Sequence, residues 1–448
     1  MRRLLLRAGE VNFSREAMRN SKILRSVALA ALATTGGLAM VESAHAQATT
    51  SWSGSPRWSE EDRQFKVTGR IQYDLYNVQA DFPGTSQDED YTRTATRRVF
   101  LGVAGRYTNA FRYDIKVAFN PGNQQVTLDD AFLEYVHNDF SVIVGQNNAV
   151  SPMEDRTSSV NIPFNERSAY MNSFGFAKKM GVAVVTNGGN WSAGVAVHAG
   201  DLNQSDTINR DEETSVIGRA TWAPFYQNTP EGMRLLHVGA TARVRDSGGA
   251  PPTGAGANAQ NDFSYGARPQ NGFGTSFVSA TGFDKDVFYG VETAGQWNQF
   301  GFNAEYGRLS AQPSSAATGA ALARGREDRD FSGGYVDLFW SPTGESRVYK
   351  AVDGSFDRIR IRRTLGSDGG IGHVMLGARY EYVDLTDGPT PATTTVGGKQ
   401  QSYVGQVTWM PISYVKFQLD YSQHNITRTA TAAQGDAEVI TFRTQLDW

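Results

Sequence analysis

The sequence predicts an all-β fold, a sixteen-stranded antiparallel transmembrane β-barrel. Three observations point there. First, segments of alternating residues carry full charges on one face and apolar or aromatic side chains on the other. Second, the connections between them alternate between tight and long. Third, mean hydropathy is only −0.43, and past the N-terminal region no run approaches the roughly 20 apolar residues of a membrane-spanning helix. A helical membrane protein is therefore excluded. A barrel is not, because only every second residue of its strands meets lipid. Aromatic residues make up 11% of the chain, with 47 glycines and only 15 prolines. That mix suits many strands, tight turns and interfacial aromatic girdles.

Residues 1–46 read as a cleavable export signal. Arg19, Lys22 and Arg25 are basic, 26–41 are rich in Ala, Leu and Gly, and Ala44-His45-Ala46 ends the segment with small residues at the cleavage positions. This order is what secretion requires. Cleavage is expected between Ala46 and Gln47. Translation from Met18 would give a leader of more ordinary length than translation from Met1. Residues 47–64 form a short polar lead-in, and 65–448 the barrel.

Side chains in a strand alternate faces. Over 65–76, Phe65, Val67, Ile71, Tyr73 and Leu75 oppose Lys66, Thr68, Arg70, Gln72 and Asp74. Over 111–120, Phe111, Tyr113, Ile115, Val117 and Phe119 oppose Arg112, Asp114 and Lys116. At the end, Ile440, Phe442, Thr444, Leu446 and Trp448 oppose Thr441, Arg443, Gln445 and Asp447. Sixteen strands are expected to begin near Phe65, Arg97, Phe111, Thr127, Asp139, Lys178, Trp191, Thr214, Met233, Lys285, Gln299, Gly333, Gly372, Gln401, Tyr414 and Ala437. The connections 108–110, 137–138, 188–190, 297–298 and 412–413 are tight. Those at 147–177, 245–284, 310–332 and 386–400 are long and polar. Short periplasmic turns and long external loops place both termini in the periplasm, and an even strand number closes the sheet without edges. Residues 342–371 break the rule, being long where a short turn is due. Either a strand pair is hidden there or the segment enters the lumen. Stretches 248–272 and 311–323 are low in complexity.

Removing 1–46 takes away seven basic and three acidic residues, leaving 36 and 43 and a net charge of −7. Nothing in that balance supports nucleic-acid binding. With no cysteine, disulfides and Cys-based metal sites cannot exist. No cofactor is implied. Past residue 46 the histidines His137, His198, His237, His373 and His424 show no H-E-x-x-H spacing. There is no G-x-S-x-G elbow, so an outer-membrane barrel enzyme is a weak rival. A soluble secreted β binding protein is a second rival, since sandwiches also alternate, with the polar face outward.

Particular residues then carry a resemblance. Arg97-Arg98-Val99-Phe100-Leu101-Gly102-Val103 precedes Asp129-Asp130-Ala131-Phe132-Leu133-Glu134-Tyr135. Val144-Gly145-Gln146, Thr157-Ser158-Ser159 and Phe164-Asn165-Glu166-Arg167-Ser168 follow. Later come Thr343-Gly344-Glu345-Ser346-Arg347-Val348-Tyr349, Ala378-Arg379-Tyr380 with Asp384-Leu385, and Val407-Thr408-Trp409. In this order, across 65–448, they resemble the phosphate-selective porin O/P family. The resemblance implies a sixteen-stranded trimeric barrel in the outer membrane of a Gram-negative bacterium. It implies that the third external loop, 147–177, folds inward, and that a periplasmic segment such as 342–371 dips into the lumen. The terminal Phe442 and Trp448 resemble the signal by which such barrels are recognised for insertion. One departure concerns lysine: between Lys116 and Lys178 there is none, whereas some family members bind phosphate through a central lysine cluster.

The expected function is passive diffusion of small hydrophilic solutes, with a preference for anions that phosphate-type oxyanions would share. A general, non-selective passage is the alternative. Candidate pore-lining cations are Lys66, Arg70, Arg98, Arg106, Arg112, Lys116 and Arg156, joined by Arg358, Arg360 and Arg362, which share a face if 356–363 is extended. Arginine suits oxyanions because its planar fork binds two oxygens while staying charged. Glu166 and Arg167 are candidate anchors of the third loop to the wall.

Overall fold

The computed structural model describes residues 49–448 except 53, 83–87, 122–123, 203–211, 249–261, 269–275, 315–326, 368, 388–396 and 429–433. The expected leader, its Ala46/Gln47 junction and much of the low-complexity stretches lie outside the described residues. Sixteen antiparallel staves close into a barrel. They are β1 (Arg63–Asp81), β2 (Glu89–Arg106), β3 (Phe111–Asn120), β4 (Gln125–His137), β5 (Phe140–Asn147), β6 (Lys179–Asn187), β7 (Trp191–His198) and β8 (Thr214–Thr229). The circuit continues through β9 (Gly232–Asp246), β10 (Val278–Trp297), β11 (Phe300–Pro313), β12 (Arg329–Trp340), β13 (His373–Asp384), β14 (Lys399–Ile412), β15 (Val415–Thr427) and β16 (Gln434–Asp447). β16 then pairs with β1, from Asp436 opposite Asp81 to Asp447 opposite Arg70.

Every expected strand is present. The starts of β2 and β10 lie earlier than expected, at Glu89 and Val278 rather than Arg97 and Lys285. There the staves run on past the apolar band, so their outward side chains become polar and the alternating signal fades. β1 shows the change directly. Ile71, Tyr73 and Leu75 point outward and are exposed, while Gln72 and Asp74 are fully buried inside. Further along the same stave Tyr76, Val78 and Ala80 are the buried ones, and Gln79 and Asp81 are exposed. Apolar side chains outside and polar ones inside invert the arrangement of a soluble sandwich. They require a hydrocarbon exterior, whose edge falls where the chemistry swaps.

Aromatic girdles mark both edges. Near the short turns, Phe300 stacks beside Trp340 at 6.1 Å, and Trp409 beside Phe417 at 5.4 Å. Toward the long loops, Tyr380 meets Tyr403 at 5.3 Å. Phe300 to Tyr306 and Tyr403 to Trp409 each span six residues, about 20 Å of extended strand. The turns themselves are tight, with Asn138 and Asn298 at φ of 49° and 52°, a conformation that asparagine tolerates better than most residues.

The lead-in is structured. Thr49–Trp52 and Pro56–Glu60 form a hairpin whose second strand pairs with β1, Arg57 opposite Lys66. It occupies the edge of β1 just beyond the point where β16 stops. There Trp448 exchanges both backbone hydrogen bonds with Gly69, at 3.0 and 3.1 Å. A Cβ at position 69 would overlap the Trp448 indole, so the close approach needs glycine.

Two inter-stave segments carry most of the remaining structure. Residues 148–178, between β5 and β6, include α1 (Met153–Arg156) and α2 (Ala169–Ser173). Residues 341–372, between β12 and β13, hold a small hairpin of Val348–Lys350 against Ser355–Asp357 rather than a further pair of staves. The extended ladder expected of Arg358, Arg360 and Arg362 is not formed, because the strand ends at Asp357. Three like charges along one edge would repel, and the chain instead sends them to separate surroundings. Arg358 donates to the Ser413 carbonyl and to Asp447, Arg362 to the Glu231 carbonyl at 2.8 Å, and Arg360 is exposed.

Candidate functional site

The inward face of the barrel is a network of charges. Segment 148–178 ties into it through its own backbone, whose polar groups need partners wherever they are buried. The amides of Met153 and Glu154 donate to Glu292 on β10 and Glu305 on β11, at 3.0 and 2.7 Å. The Asn165 amide donates to Gln406 on β14 at 2.9 Å, and the Ala169 amide to Glu381 on β13 at 3.0 Å. Ser168 caps α2, its hydroxyl accepting from the Met171 amide. Side chains add to this: Arg379 on β13 donates to Glu154 at 2.6 Å and is itself held by Asp337 at 2.7 Å. Lys416 on β15 donates to the Val160 carbonyl at 2.9 Å.

Glu166 makes the densest contact. Arg97, Arg98 and Arg443 approach its carboxylate at 2.8, 3.1 and 2.6 Å. Burial opposes the charged form of Glu166, but the three guanidiniums outweigh it and hold the carboxyl well below its ordinary range. Two consecutive arginines reach one carboxylate because β2 bulges. Gln72 pairs with Arg98 and Tyr73 with Thr96, leaving Arg97 as the extra residue. A second bulge does the same with the opposite sign. On β4, Lys116 pairs with Asp130 and Val117 with Leu128, so Asp129 is extra. Lys178 then reaches both Asp129 and Asp130 at 2.7 Å, and Lys116 reaches Asp130 at 2.5 Å.

Burial is uneven around the wall. The inward charges of β8–β16 are sealed: the Arg379, Asp337, Arg219, Glu292 and Arg443 side chains are each at most 4% exposed. Along β2–β4 they stay part-exposed, with Asp114 at 26% and Lys116 at 20%. Arg97, Arg156, Arg167 and Lys178 are comparable. This strip, faced by Ser158, Ser159 and Arg167, is the part of the inner wall that stays accessible to solvent.

Six of the sequence-predicted cations, Lys66, Arg70, Arg98, Arg106, Arg112 and Lys116, fall on or beside that strip. Lys66, Arg106 and Lys116 face inward and are partly exposed, and Arg112, the most open, lies 3.8 Å from Glu134. Arg98 is shared between Glu166 and Gln72. Arg70 is buried, donates to Ser159 at 2.6 Å and Ser158 at 3.4 Å, and lies over the Phe100 ring. Arg156 pairs with Asp353 of segment 341–372 at 3.3 Å. Arg358 lies near the turns, beside Asp447 and within electrostatic reach of Lys66 and Arg70, while Arg362 stands apart at Glu231. Of the two expected anchors, Glu166 bonds to the wall. Arg167 instead donates to the Glu154, Asp155 and Thr157 carbonyls of its own segment. Phe442 points outward and is exposed. Sequence reasoning missed Arg97, Arg379 and Lys416 as site residues. Arg97 sits on the wrong parity for an inward side chain until the bulge is known.

Above the strip, toward the long loops, an aromatic cluster fills the lumen around the buried Arg245–Asp286 pair. Phe82, Tyr170, Phe174, Tyr265, Phe283 and Phe331 belong to one buried cluster.

A closed barrel with an apolar exterior, a charged interior and a part-hydrated inner strip is the architecture of an outer-membrane porin. The model of the family described as phosphate-selective porin O and P matches residues 65–448, and the chain belongs to that family. It is 24% identical over 417 residues to Porin O of Pseudomonas aeruginosa, covering 87% of this chain and 89% of the relative. It is 29% identical over 419 residues to an uncharacterized protein of Caulobacter vibrioides, covering 90% and 78%. Among solved structures, the outer membrane protein OmpT of Vibrio cholerae matches with a TM-score of 0.53 at 11% identity, over 87% of this chain and 99% of that one. A trimer form of the same protein matches at 0.50, with 10% identity over 87% and 100%. These structures share the fold. The chain is an outer-membrane porin of a Gram-negative bacterium.

Proposed function

We propose that this porin passes small anions, with segment 148–178 as its constriction, and that it works as a homotrimer and as a passive channel rather than an enzyme. The observation that carries the reading is the sign of the part-exposed strip. Lys66, Arg97, Arg98, Arg106, Arg112, Lys116, Arg167 and Lys178 lie on or beside it, against Asp114, Asp129, Asp130, Glu134, Asp155 and Glu166. A pore selects by the charges lining its narrowest part, so the acidic balance of the whole chain is not decisive. The family supports oxyanions as solutes, and the trimer form of OmpT supports the assembly. A general passage is the second reading, favoured by the doublet Asp129-Asp130 on the same wall. Reversal potentials in a KCl gradient across planar bilayers test the first reading. A chloride-favouring potential is expected, and a clearly cation-selective one would sink it. Block of chloride current by phosphate then separates a phosphate-preferring channel from a general one.

A further inference from the structure

A small cavity lies where segments 148–178 and 341–372 meet the wall of β13, β14 and β15. It is about 20 Å³, taken as the space open to the centre of a water-sized sphere. That holds one occupant of roughly that size, since about 10–15 Å³ suffices for a water. Its apolar sides include Ile162 and Met375, and its polar lining includes Arg347, Lys416, His373 and Thr408. No carboxylate lines it. Each of these four polar residues is at least nine-tenths buried.

The charges do not balance locally. Lys416 donates to a backbone carbonyl, that of Val160, and is in no ion pair among the described residues. The charges acting on it are Asp447 against Arg443, Arg70 and Arg358. Arg347 donates to the neutral Asn303 at 3.0 Å and lies 3.6 Å over the Phe356 ring, again without a carboxylate in ion-pair contact among the described residues. Asp337 and Glu154 act on Arg347 as Asp447 does on Lys416, but none of these carboxylates reaches the cavity, so the two sealed cations have no counter-charge on the side that faces it. The other two groups are also incomplete. The Thr408 hydroxyl accepts from Gln406 at 2.8 Å and Gln418 at 3.4 Å, leaving its own proton to donate. With Nδ1–H donated to Glu345 at 3.1 Å, the buried Nε2 of His373 is an acceptor without a partner and is no ligand for an anion.

The geometry points to a bound monovalent halide in this cavity, held by Lys416 and Arg347 and completed by the Thr408 hydroxyl. A tetrahedral oxyanion is too large for a single water-sized space. The ion would pin 160–163 and 347 to the wall, so it is a structural anion distinct from the solutes that cross the part-exposed strip. Its presence does not depend on the selectivity proposed above.

The test uses the full refolded chain in detergent, with bromide as the probe and gluconate at equal ionic strength as the control. The melting temperature should rise by about 2 °C per tenfold increase in bromide and not with gluconate. Lys416→Met should remove that dependence. Equal slopes in the two salts, or an undiminished bromide slope in Lys416→Met, would overturn the proposal. Should Lys416→Met not fold, bromide-grown crystals of the unmodified protein decide. An anomalous peak between Arg347 and Lys416 supports the site, and a water there without anomalous signal refutes it.

Discussion

Glu166→Gln removes one charge and almost no volume. Three guanidiniums within 2.6–3.1 Å would lose their shared carboxylate. At an effective dielectric of about 20, each such contact is worth roughly 5 kcal/mol before desolvation is subtracted. Breaking a buried pair from one side costs about 3–5 kcal/mol net. Two features pull toward the lower end. Arg97 and Arg98 keep some access to water, at 25% and 12% exposure, and Arg443 retains Asp74 at 2.7 Å. A loss of about 3 kcal/mol is expected, read from urea unfolding of refolded protein in micelles by tryptophan fluorescence. The difference also has a pH signature. The folded carboxyl titrates well below its unfolded value of about 4.3, so its contribution is fully present above that value. It is lost as pH falls toward the folded value, and the gap between unmodified protein and variant should narrow from about pH 4 downward. A stability change under about 0.5 kcal/mol, or a gap that does not narrow in acid, would refute the idea that Glu166 anchors the segment through its charge.

The paired variant Lys116→Gln with Lys178→Gln leaves Asp129 and Asp130 uncompensated on the part-exposed strip. Its reversal potential should move toward cation selectivity, and an unchanged potential would place this wall outside the conduction path. Arg358→Gln removes the donor to Ser413 and Asp447 and should lower stability by about 1.5–3 kcal/mol in the same urea assay, with little change in selectivity; a large selectivity shift would contradict its position near the turns. Gly69→Leu drives a side chain into the Trp448 indole and should cost about 1–3 kcal/mol. Its heat-modifiable band on semi-native gels should convert at a lower temperature, and a band as resistant as that of the unmodified protein would show that the ring has room to move.

The barrel was legible because its lipid-facing band imposes strict alternation, as at Ile71, Tyr73 and Leu75. Legibility ended where that constraint ends. Beyond Tyr76 the same parity stays buried while its chemistry turns apolar, and the early parts of β2 and β10 gave no clean pattern. The candidate cations were readable one by one, since Arg98, Arg112 and Lys116 lie on polar parities. Their arrangement was not, because each bulge inserts one residue and turns a neighbour inward: Arg97 beside Arg98, Asp129 beside Asp130. The sequence also marks 342–371 as anomalous in length, but not that Asp353 would accept from Arg156. Nor could alternation reveal Lys416 as a latch on Val160, a contact between residues 256 apart.

The seam between β16 and β1 sets an order of events. Its inward staples join the two ends of the sheet: Arg443 to Asp74, 369 residues away, and Gln72 to Gln445, 373 away at 2.6 Å. Contacts of such sequence separation form slowly, because the loop-closure entropy precedes any reward. Until they form, Arg443 and Asp74 are unpaired charges on the open edges of a sheet. Asp74 is held across the seam by Arg443, which Glu166 also holds, so neither edge is well satisfied by lipid or by a neighbouring stave in the wrong register. Closure is therefore self-proofreading: a sheet that meets itself one residue out of step sets inward side chains of one stave opposite outward ones of the other, and only the correct register brings Arg443 and Asp74 together in the lumen.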